Sequence, residues 1–199
     1  MKKTLILLMA AALLLSACGG NGNPSSSSGT SSQESSSASS PVEETADPEA
    51  ILAPALEAYG WFNLSSLSCG PETANLETDG SLVYQVNDPR FPTYESLKQH
   101  ISGIFSQEIV DELLAGGNYM DVDGKLYTHD GARGGNIYLG GVTYAMGEET
   151  DARREIIATA EYLVDPTAET PEVERTEEYT FVQEKVDGNW IFTQFPYFF

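Results

Sequence analysis

The sequence predicts a single α+β domain in which N-terminal helices pack on one bent antiparallel sheet. Apolar residues recur at helical spacing in the first half of the chain, whereas REIIATAEYLV and EEYTFVQEKV alternate with the period of a strand. Helices followed by a meander of four to six strands indicate the α+β class. About 153 residues, from 47 to 199, are enough for one such domain. We expect its shape to be a cystatin-like or nuclear-transport-factor-like (NTF2-like) cone.

The first 17 residues have the pattern of a secretory leader. A positively charged MKK precedes the apolar run TLILLMAAALLL, and LSAC follows it. The apolar run is too short to span a bilayer. LSAC resembles a bacterial lipobox, which implies that residues 1–17 are a lipoprotein signal peptide and that Cys18 is lipidated. An ordinary signal peptide with an incidental cysteine is the alternative.

Residues 18–46 are a serine-rich segment that begins with the cysteine and contains almost nothing to bury. Such a composition predicts a disordered tether with a root-mean-square reach of roughly 30 Å, and at most about 90 Å when extended. We therefore expect the domain at residues 47–199 to lie on the extracytoplasmic face of the cell membrane, held by the lipid on Cys18.

The chain is strongly acidic. Without the two lysines of the leader, eight basic and 30 acidic residues leave a net charge of −22. This charge excludes nucleic acid and anionic lipid as partners and favours a basic one. Cys69 is the only other cysteine, so the domain has no internal disulfide once Cys18 carries lipid.

Three helices are predicted from their start signals. Asp47 and Pro48 begin the first, in which Pro54 should cause a kink or a delayed start. Thr93 caps a second helix, TYESLKQHISGIF, and Ser106 caps a third, SQEIVDELLAGG, which ends at its glycines.

Strands are predicted before and after the second and third helices. Leu82–Val86 is a short strand that ends before a proline. The pairs Asp123-Gly124 and Asp187-Gly188 each lie between alternating apolar residues, a strong hairpin signal. NWIFTQF completes the last hairpin.

The stretch NYMDVDGKLYTHDGARGGN, residues 118–136, concentrates the polar residues that are candidates for function. As an EF-hand calcium loop it would place Tyr119 at the first position, where a carboxylate is required. The flanking segments also read as strands rather than helices. We therefore predict no metal and no cofactor.

Catalysis is also disfavoured by the residues of this stretch. Asp121 and Asp123 alternate with apolar residues on a strand, so both carboxylates are expected on one face, where they could act as acid and base. His129 could serve as a base, but nothing nearby offers an activated nucleophile. No recognised hydrolase, zinc or phosphate-loop motif occurs in the chain. The sequence predicts that the protein is not an enzyme.

A binding surface is the remaining interpretation of this stretch. The turn at Asp123 brings Asp121 near Tyr127 on the facing strand. The segment from Arg133 to Asn136, RGGN, follows as a loop in which glycines allow unusual backbone angles. Arg133 either pairs with one of the aspartates or contacts a partner directly.

The order of motifs along the domain resembles the IseA-like family of DL-endopeptidase inhibitors. The resemblance covers about residues 50 to 196 and is carried by DPRFPTYESLKQHISGIFSQEIVDELL, YMDVDGKLYTHDGARGGNI and EKVDGNWIFTQF. It implies a secreted inhibitor, expected to be monomeric, whose acidic cleft occupies the active-site groove of NlpC/P60-type cell-wall endopeptidases. The contact residues it implies are Asp121, Asp123, Tyr127, Arg133, Gly134 and Asn136.

Two other functions stay open at this point. The first is a small-ligand-binding or sensory module lined by aromatic residues, namely Tyr144, Tyr162, Tyr179, Phe181, Trp190 and Phe192. The second is a hydrolase or isomerase that uses Asp121, Asp123 or His129.

Overall fold

A computed structural model of the protein describes residues 46–75 and 80–198, all within one compact unit, Glu43–Phe199. The predicted signal peptide, Cys18 and the tether up to residue 45 lie outside the described residues. The helices are α1 (Pro48–Asn63), α2 (Tyr94–Ser102) and α3 (Gln107–Ala115). The strands are β1 (Cys69–Asn75), β2 (Leu82–Val86), β3 (Tyr119–Val122), β4 (Lys125–Thr128), β5 (Leu139–Glu149), β6 (Arg153–Leu163), β7 (Val173–Val186) and β8 (Asn189–Gln194).

All three helices begin where the sequence predicts. The side chain of Asp47 accepts a hydrogen bond from the Glu49 N–H at 3.0 Å, and Thr93 forms a reciprocal capping box with Ser96. The Ser106 hydroxyl accepts the Ile109 N–H. The predicted delayed start at Pro54 is wrong, because α1 runs unbroken from Pro48 to Asn63.

The α+β class is confirmed, but the strands form two antiparallel sheets rather than one bent sheet. The first sheet has the order β1-β2-β4-β3 and the second the order β5-β6-β7-β8. Strand β2, which precedes α2 and α3, pairs with β4, which follows them. This long-range pairing separates the β3–β4 hairpin from the later meander.

Both predicted hairpin turns are confirmed. Asp123 and Gly124 have φ of 52° and 78°, and Asp187 and Gly188 have φ of 49° and 85°. Positive φ at both central residues is the signature of a type I′ turn, whose twist matches that of the flanking strands.

One hydrophobic core joins the helices to both sheets. Leu52, Leu97 and Val110 are fully buried in it, one from each helix, and Leu126 and Phe181 join it from the first and second sheets. The three helices thus hold the two sheets in one body. No helix in the described part of the chain is long and apolar enough to cross a membrane.

Candidate functional site

The segment from His129 to Tyr138, which we name the connecting loop, links β4 of the first sheet to β5 of the second. Its first half is held by the end of α1. The Arg133 N–H donates to the Leu64 carbonyl at 2.6 Å, and the Ser66 N–H donates to the Gly131 carbonyl at 3.2 Å. The first half of the loop is therefore fixed to the C-terminal end of α1 and the residues just after it, despite its glycines.

The second half of the connecting loop is held by the second sheet. The side-chain oxygen of Asn136 accepts the Tyr138 N–H at 3.0 Å, and the backbone carbonyl of Asn136 accepts the Leu139 N–H at 3.0 Å. Leu163 of β6 then donates its N–H to the Tyr138 carbonyl at 2.8 Å. Both ends of the loop are anchored, so its exposed side chains are presented on a defined backbone.

The predicted pairing of Arg133 with an aspartate is wrong. Its guanidinium instead donates to the side-chain oxygen of Asn118, whose amide nitrogen donates to the Phe62 carbonyl at 2.8 Å. Among the ion pairs of residues 46–75 and 80–198, none includes Arg133. Asn118 immediately precedes β3, at the base of the hairpin, whereas the aspartates lie towards its tip.

The two aspartates do not form a carboxylate pair on one strand face. Asp121 lies in β3, and its carboxylate accepts the Gly124 N–H at 2.8 Å. Asp123 lies outside the strand, in the turn itself. The expectation that both side chains project from one strand is wrong because the strand ends at Val122.

Five of the six contact residues implied by the resemblance fall into two exposed groups separated by the length of the hairpin. Asp121 and Asp123 are at its tip, whereas Arg133, Gly134 and Asn136 lie beyond its base. Four residues of β4 separate these groups by about 13 Å, at about 3.3 Å per residue.

Tyr127 lies between the two groups and is largely buried, with 8% of its surface exposed. Its cross-strand partner is Met120, whereas Asp121 faces Leu126. Tyr127 and Asp121 are therefore near each other along the hairpin but are not direct neighbours across it. Little of the tyrosine side chain remains accessible to a partner.

Two exposed apolar residues on the same loop were not predicted from the sequence. Ile137 and Tyr138 are 70% and 48% exposed. Val164 and Val173 are also exposed and lie close to this loop. Leu163 bonds to the Tyr138 carbonyl, pairs with Val173 on β7 and directly precedes Val164 in the chain. The sequence feature that could have indicated an exposed apolar surface here is a pair of large apolar residues between a Gly-Gly-Asn loop and Gly140.

A small pocket of about 200 Å³ lies beside the base of the hairpin, between α1 and α3. Asn118, the partner of Arg133, forms part of its wall, together with Tyr59 and Glu112. Burial and the charge of Glu112 raise the pKa of the Tyr59 hydroxyl. An acidic wall of this kind suits a basic or hydrogen-bond-donating side chain of a partner.

The base of the hairpin is tied to α1 by the buried hydroxyl of Tyr119. This hydroxyl donates to the Trp61 carbonyl at 3.1 Å and accepts the Leu67 N–H at 2.8 Å. Burial raises the pKa of Tyr119 to about 12. The bonds connect β3, the end of α1 and the segment that follows it, so they position the surface on which the connecting loop rests.

Replacing Tyr119 by phenylalanine should lower the free energy of unfolding by about 1–3 kcal/mol, because the Leu67 N–H loses its buried acceptor. Folding raises the pKa of Tyr119 from 10.0 to about 12. The stabilisation from its buried hydroxyl is therefore fully present below pH 10 and is lost as the pH rises towards 12. Urea unfolding at pH 7 and pH 11 measures both effects. The difference in free energy of unfolding between the parent chain and Tyr119→Phe should be smaller at pH 11 than at pH 7. An equal difference at the two pH values would contradict the raised pKa of Tyr119.

Several of the aromatic residues that suggested a ligand pocket pack against rings of the C-terminal segment. Tyr162, Phe181 and Phe192 are buried, and Phe195 packs edge-on against the last two rings at 4.8 and 5.1 Å. Phe198 stacks on Tyr179 at 5.1 Å. The C-terminal segment thus occupies the inner face of the second sheet where a small ligand would have to bind.

Within residues 46–75 and 80–198, no three histidine, cysteine or acidic side chains are grouped so as to hold a metal ion. Comparison of the sequence with models of known protein families gives no match. A search among curated proteins finds no related sequence. The IseA-like resemblance therefore stays a prediction.

Proposed function

We propose that the protein is a lipid-tethered extracytoplasmic inhibitor of peptidoglycan DL-endopeptidases of the NlpC/P60 type. The inhibitor occupies the groove of the hydrolase with an acidic surface, in place of the wall peptide. The observation that carries this proposal is the anchored connecting loop, which presents Arg133, Asn136, Ile137 and Tyr138 to solvent beside an acidic hairpin.

The composition of this surface is that of a protein–protein contact. Tyrosine and arginine are enriched among the residues that dominate binding energy, and a fixed backbone lowers the entropy lost on association. Tyr138 and Arg133 are held by the loop anchors, and Ile137 adds exposed apolar area between them. An enzyme groove that admits an extended peptide also admits a narrow, anchored loop of this kind.

The acidic tip of the β3–β4 hairpin has a separate role in this proposal. Asp121 and Asp123 are exposed, and the domain as a whole is strongly acidic. Charges at the rim of an interface act mainly on the association rate, whereas buried central contacts act on dissociation. The tip therefore steers a basic hydrolase towards the loop, which makes the close contact.

The place of action follows from the N-terminal sequence. A lipid on Cys18 and a tether of about 28 residues would hold the inhibitor at a root-mean-square distance of roughly 30 Å from its anchor, and at most about 90 Å from it. Its targets would then be hydrolases that act on newly exported or membrane-proximal wall. Globomycin treatment of producing cells and mass spectrometry of the mature N-terminus test the lipidation; a mature chain without lipid on Cys18 would contradict the anchor.

Changing Asp121 and Asp123 together to asparagine should slow association with the hydrolase by about threefold to tenfold at low salt, with little change in dissociation. Asparagine keeps the side-chain oxygen that accepts the Gly124 N–H, so the turn is retained. Stopped-flow binding at two salt concentrations measures the effect. Glu148→Gln with Glu184→Gln, two exposed acidic residues at the end of the second sheet far from the connecting loop, is the matched control. Equal slowing by both pairs would show that only total charge matters.

We further propose that the second sheet, with α1 and the C-terminal segment on its inner face, forms a cone of the cystatin- or NTF2-like type. Its four antiparallel strands, three of which have 11 to 14 residues, and the helix packed on one face support this. The first sheet would then be an addition that carries the acidic hairpin. A crystal structure with a flat second sheet would contradict the cone.

A further inference from the structure

Four exposed apolar side chains form one patch at the end of the second sheet that the connecting loop adjoins. They are Ile137 and Tyr138 of the loop, Val164 just after β6 and Val173 at the start of β7. Val164 and Val173 are 58% and 47% exposed. In the part of the chain that the structure describes, seven large apolar residues are exposed, and these four lie at one end. Scattered apolar residues need no explanation, whereas a contiguous group marks a contact surface.

Backbone hydrogen bonds keep the members of this apolar patch next to one another. The Leu163 N–H donates to the Tyr138 carbonyl at 2.8 Å, and Leu163 lies opposite Val173 on β7. Neighbouring strands are about 4.8 Å apart, so two such steps separate the backbones of Tyr138 and Val173 by about 10 Å. The Val164 N–H donates to the Glu172 carbonyl at 2.9 Å. The patch is therefore continuous and is presented on a paired backbone.

The proposed inhibitor surface is too small without this patch. A protein–protein interface of standard size involves about 20–30 residues of each partner. The connecting loop has ten residues, 129–138, and its first half lies against the end of α1. A stable contact must therefore continue onto neighbouring surface. The exposed apolar residues that adjoin Tyr138 belong to the β6–β7 end, which we define as residues 161–178.

The surroundings of the apolar patch are acidic. The β6–β7 end contains seven acidic residues and one basic residue, Arg175. Arg175 is paired with Glu174 at 3.0 Å and with Glu177 at 2.7 Å, so its charge is compensated within the chain. The connecting loop has one acidic and one basic residue and adds no net charge. An apolar centre with a negative rim suits a partner surface that has apolar residues inside a basic rim.

The position of the patch relative to α1 favours a protein partner over the membrane. The connecting loop bonds to the Leu64 carbonyl, just beyond the C-terminal end of α1, whereas the predicted tether joins α1 at Pro48. A helix of 16 residues is about 24 Å long. The start of α1 lies near the middle of β5 instead, where burial and the charge of Glu49 raise the pKa of Tyr144. The patch thus lies away from the point where the tether begins, and its acidic rim is repelled by anionic lipid.

We propose that the hydrolase contact extends from the connecting loop across the β6–β7 end, where Val164 and Val173 pack against an apolar surface beside the hydrolase groove. Basic residues of the hydrolase around that surface meet the acidic rim. This inference rests on the proposed function and adds the chemistry that the partner must present. Among endopeptidases of this class, those with a basic rim around an apolar surface beside the groove bind most tightly.

The first test replaces Val164 and Val173 together by serine in residues 19–199. Binding to a purified DL-endopeptidase should weaken by about tenfold, through faster dissociation. Leu82→Ser with Val186→Ser is the matched control, because these side chains are 54% and 49% exposed and lie away from the patch. The control should leave the affinity unchanged, and neither pair should shift the midpoint of urea unfolding. Equal affinities of the two pairs would overturn the proposal.

The second test changes the acidic rim and leaves the apolar residues in place. Glu169→Gln with Glu172→Gln, both exposed, should slow association by about threefold to tenfold at low salt, and the effect should fade at high salt. Glu148→Gln with Glu184→Gln removes the same charge at the other end of the second sheet and should slow association less. Equal slowing by the two pairs would overturn the basic rim inferred for the partner.

Two other occupants of the patch are tested with the same valine pair. A dimer that sedimentation velocity detects in the parent chain but not in the valine pair would assign the patch to a second copy. Flotation of the parent chain with phosphatidylcholine vesicles, lost in the valine pair, would assign it to lipid. Either result would overturn the proposal.

Failure of this inference can be distinguished from failure of the inhibitor function. Inhibition that Ile137→Ser with Tyr138→Ser weakens, but that the valine pair does not, would retain the inhibitor function and remove the extension. A parent chain that binds no DL-endopeptidase would remove both.

Discussion

Replacing Ile137 and Tyr138 together by serine is expected to weaken hydrolase inhibition by about 30-fold to 700-fold. Both side chains are exposed in the free protein, so their loss should change the free energy of unfolding by less than about 0.5 kcal/mol. Central aromatic and aliphatic contacts of an interface commonly contribute about 1–2 kcal/mol each, and 1.4 kcal/mol is a factor of ten. Inhibition constants from a cleavage assay with a synthetic stem peptide measure the effect.

The matched control for this pair is Leu82→Ser, because Leu82 is 54% exposed on the first sheet and away from the connecting loop. It should leave the inhibition constant unchanged. The kinetic signature is a faster dissociation with little change in association, opposite to that of the aspartate pair at the hairpin tip. Unchanged inhibition by the serine pair would remove the loop from the contact and leave only the acidic hairpin.

Replacing Phe195 by alanine is expected to lower the free energy of unfolding by about 3–5 kcal/mol. Its ring is 8% exposed and packs against Tyr59, Phe105, Phe181 and Phe192 at centre distances of 4.8 to 5.1 Å. It joins α1 and the second sheet to the link between α2 and α3. Urea unfolding followed by circular dichroism measures the loss.

Phe195→Leu is the companion variant for that measurement. Leucine keeps much of the buried apolar volume but loses the edge-on ring contacts, so a smaller loss, below about 2 kcal/mol, is expected. A small effect of Phe195→Ala would contradict the assignment of the C-terminal segment to the core. It would also reopen the inner face of the second sheet as a site for a small ligand.

The elements that the sequence predicted correctly are those determined by neighbouring residues. Helix starts at Asp47, Thr93 and Ser106 depend on side chains that bond two or three residues ahead. The hairpin turns at Asp123 and Asp187 depend on an aspartate and glycine that both accept positive φ. Such signals act within a few residues and survive in almost any tertiary context.

The partition into two sheets depends on contacts that no local pattern encodes. Pairing of β2 with β4 brings together Tyr84 and Thr128, which are separated by two helices in the sequence. Strand β1, Cys69–Asn75, lacks the alternation of a strand and forms by pairing with β2. The order of elements alone was compatible with one sheet or two.

The sequence predicted which region of the chain contains the candidate site, but not the contacts between its residues. The stretch from residue 118 to 136 does contain the hairpin and most of the connecting loop. The partner of Arg133 could not be predicted, because Asn118 reaches it only when the loop folds back on the end of α1. Ile137 and Tyr138 were missed because apolar residues beside a strand are ordinarily expected in the core.

The most direct test of the inhibitor proposal is a titration of a purified NlpC/P60-type DL-endopeptidase with residues 19–199, with release of peptidoglycan fragments as the readout. The proposal predicts complete loss of cleavage near one equivalent, restored by the serine pair at Ile137 and Tyr138. A muramidase assayed on the same wall should be unaffected. Undiminished cleavage by several such endopeptidases at excess protein would contradict the account.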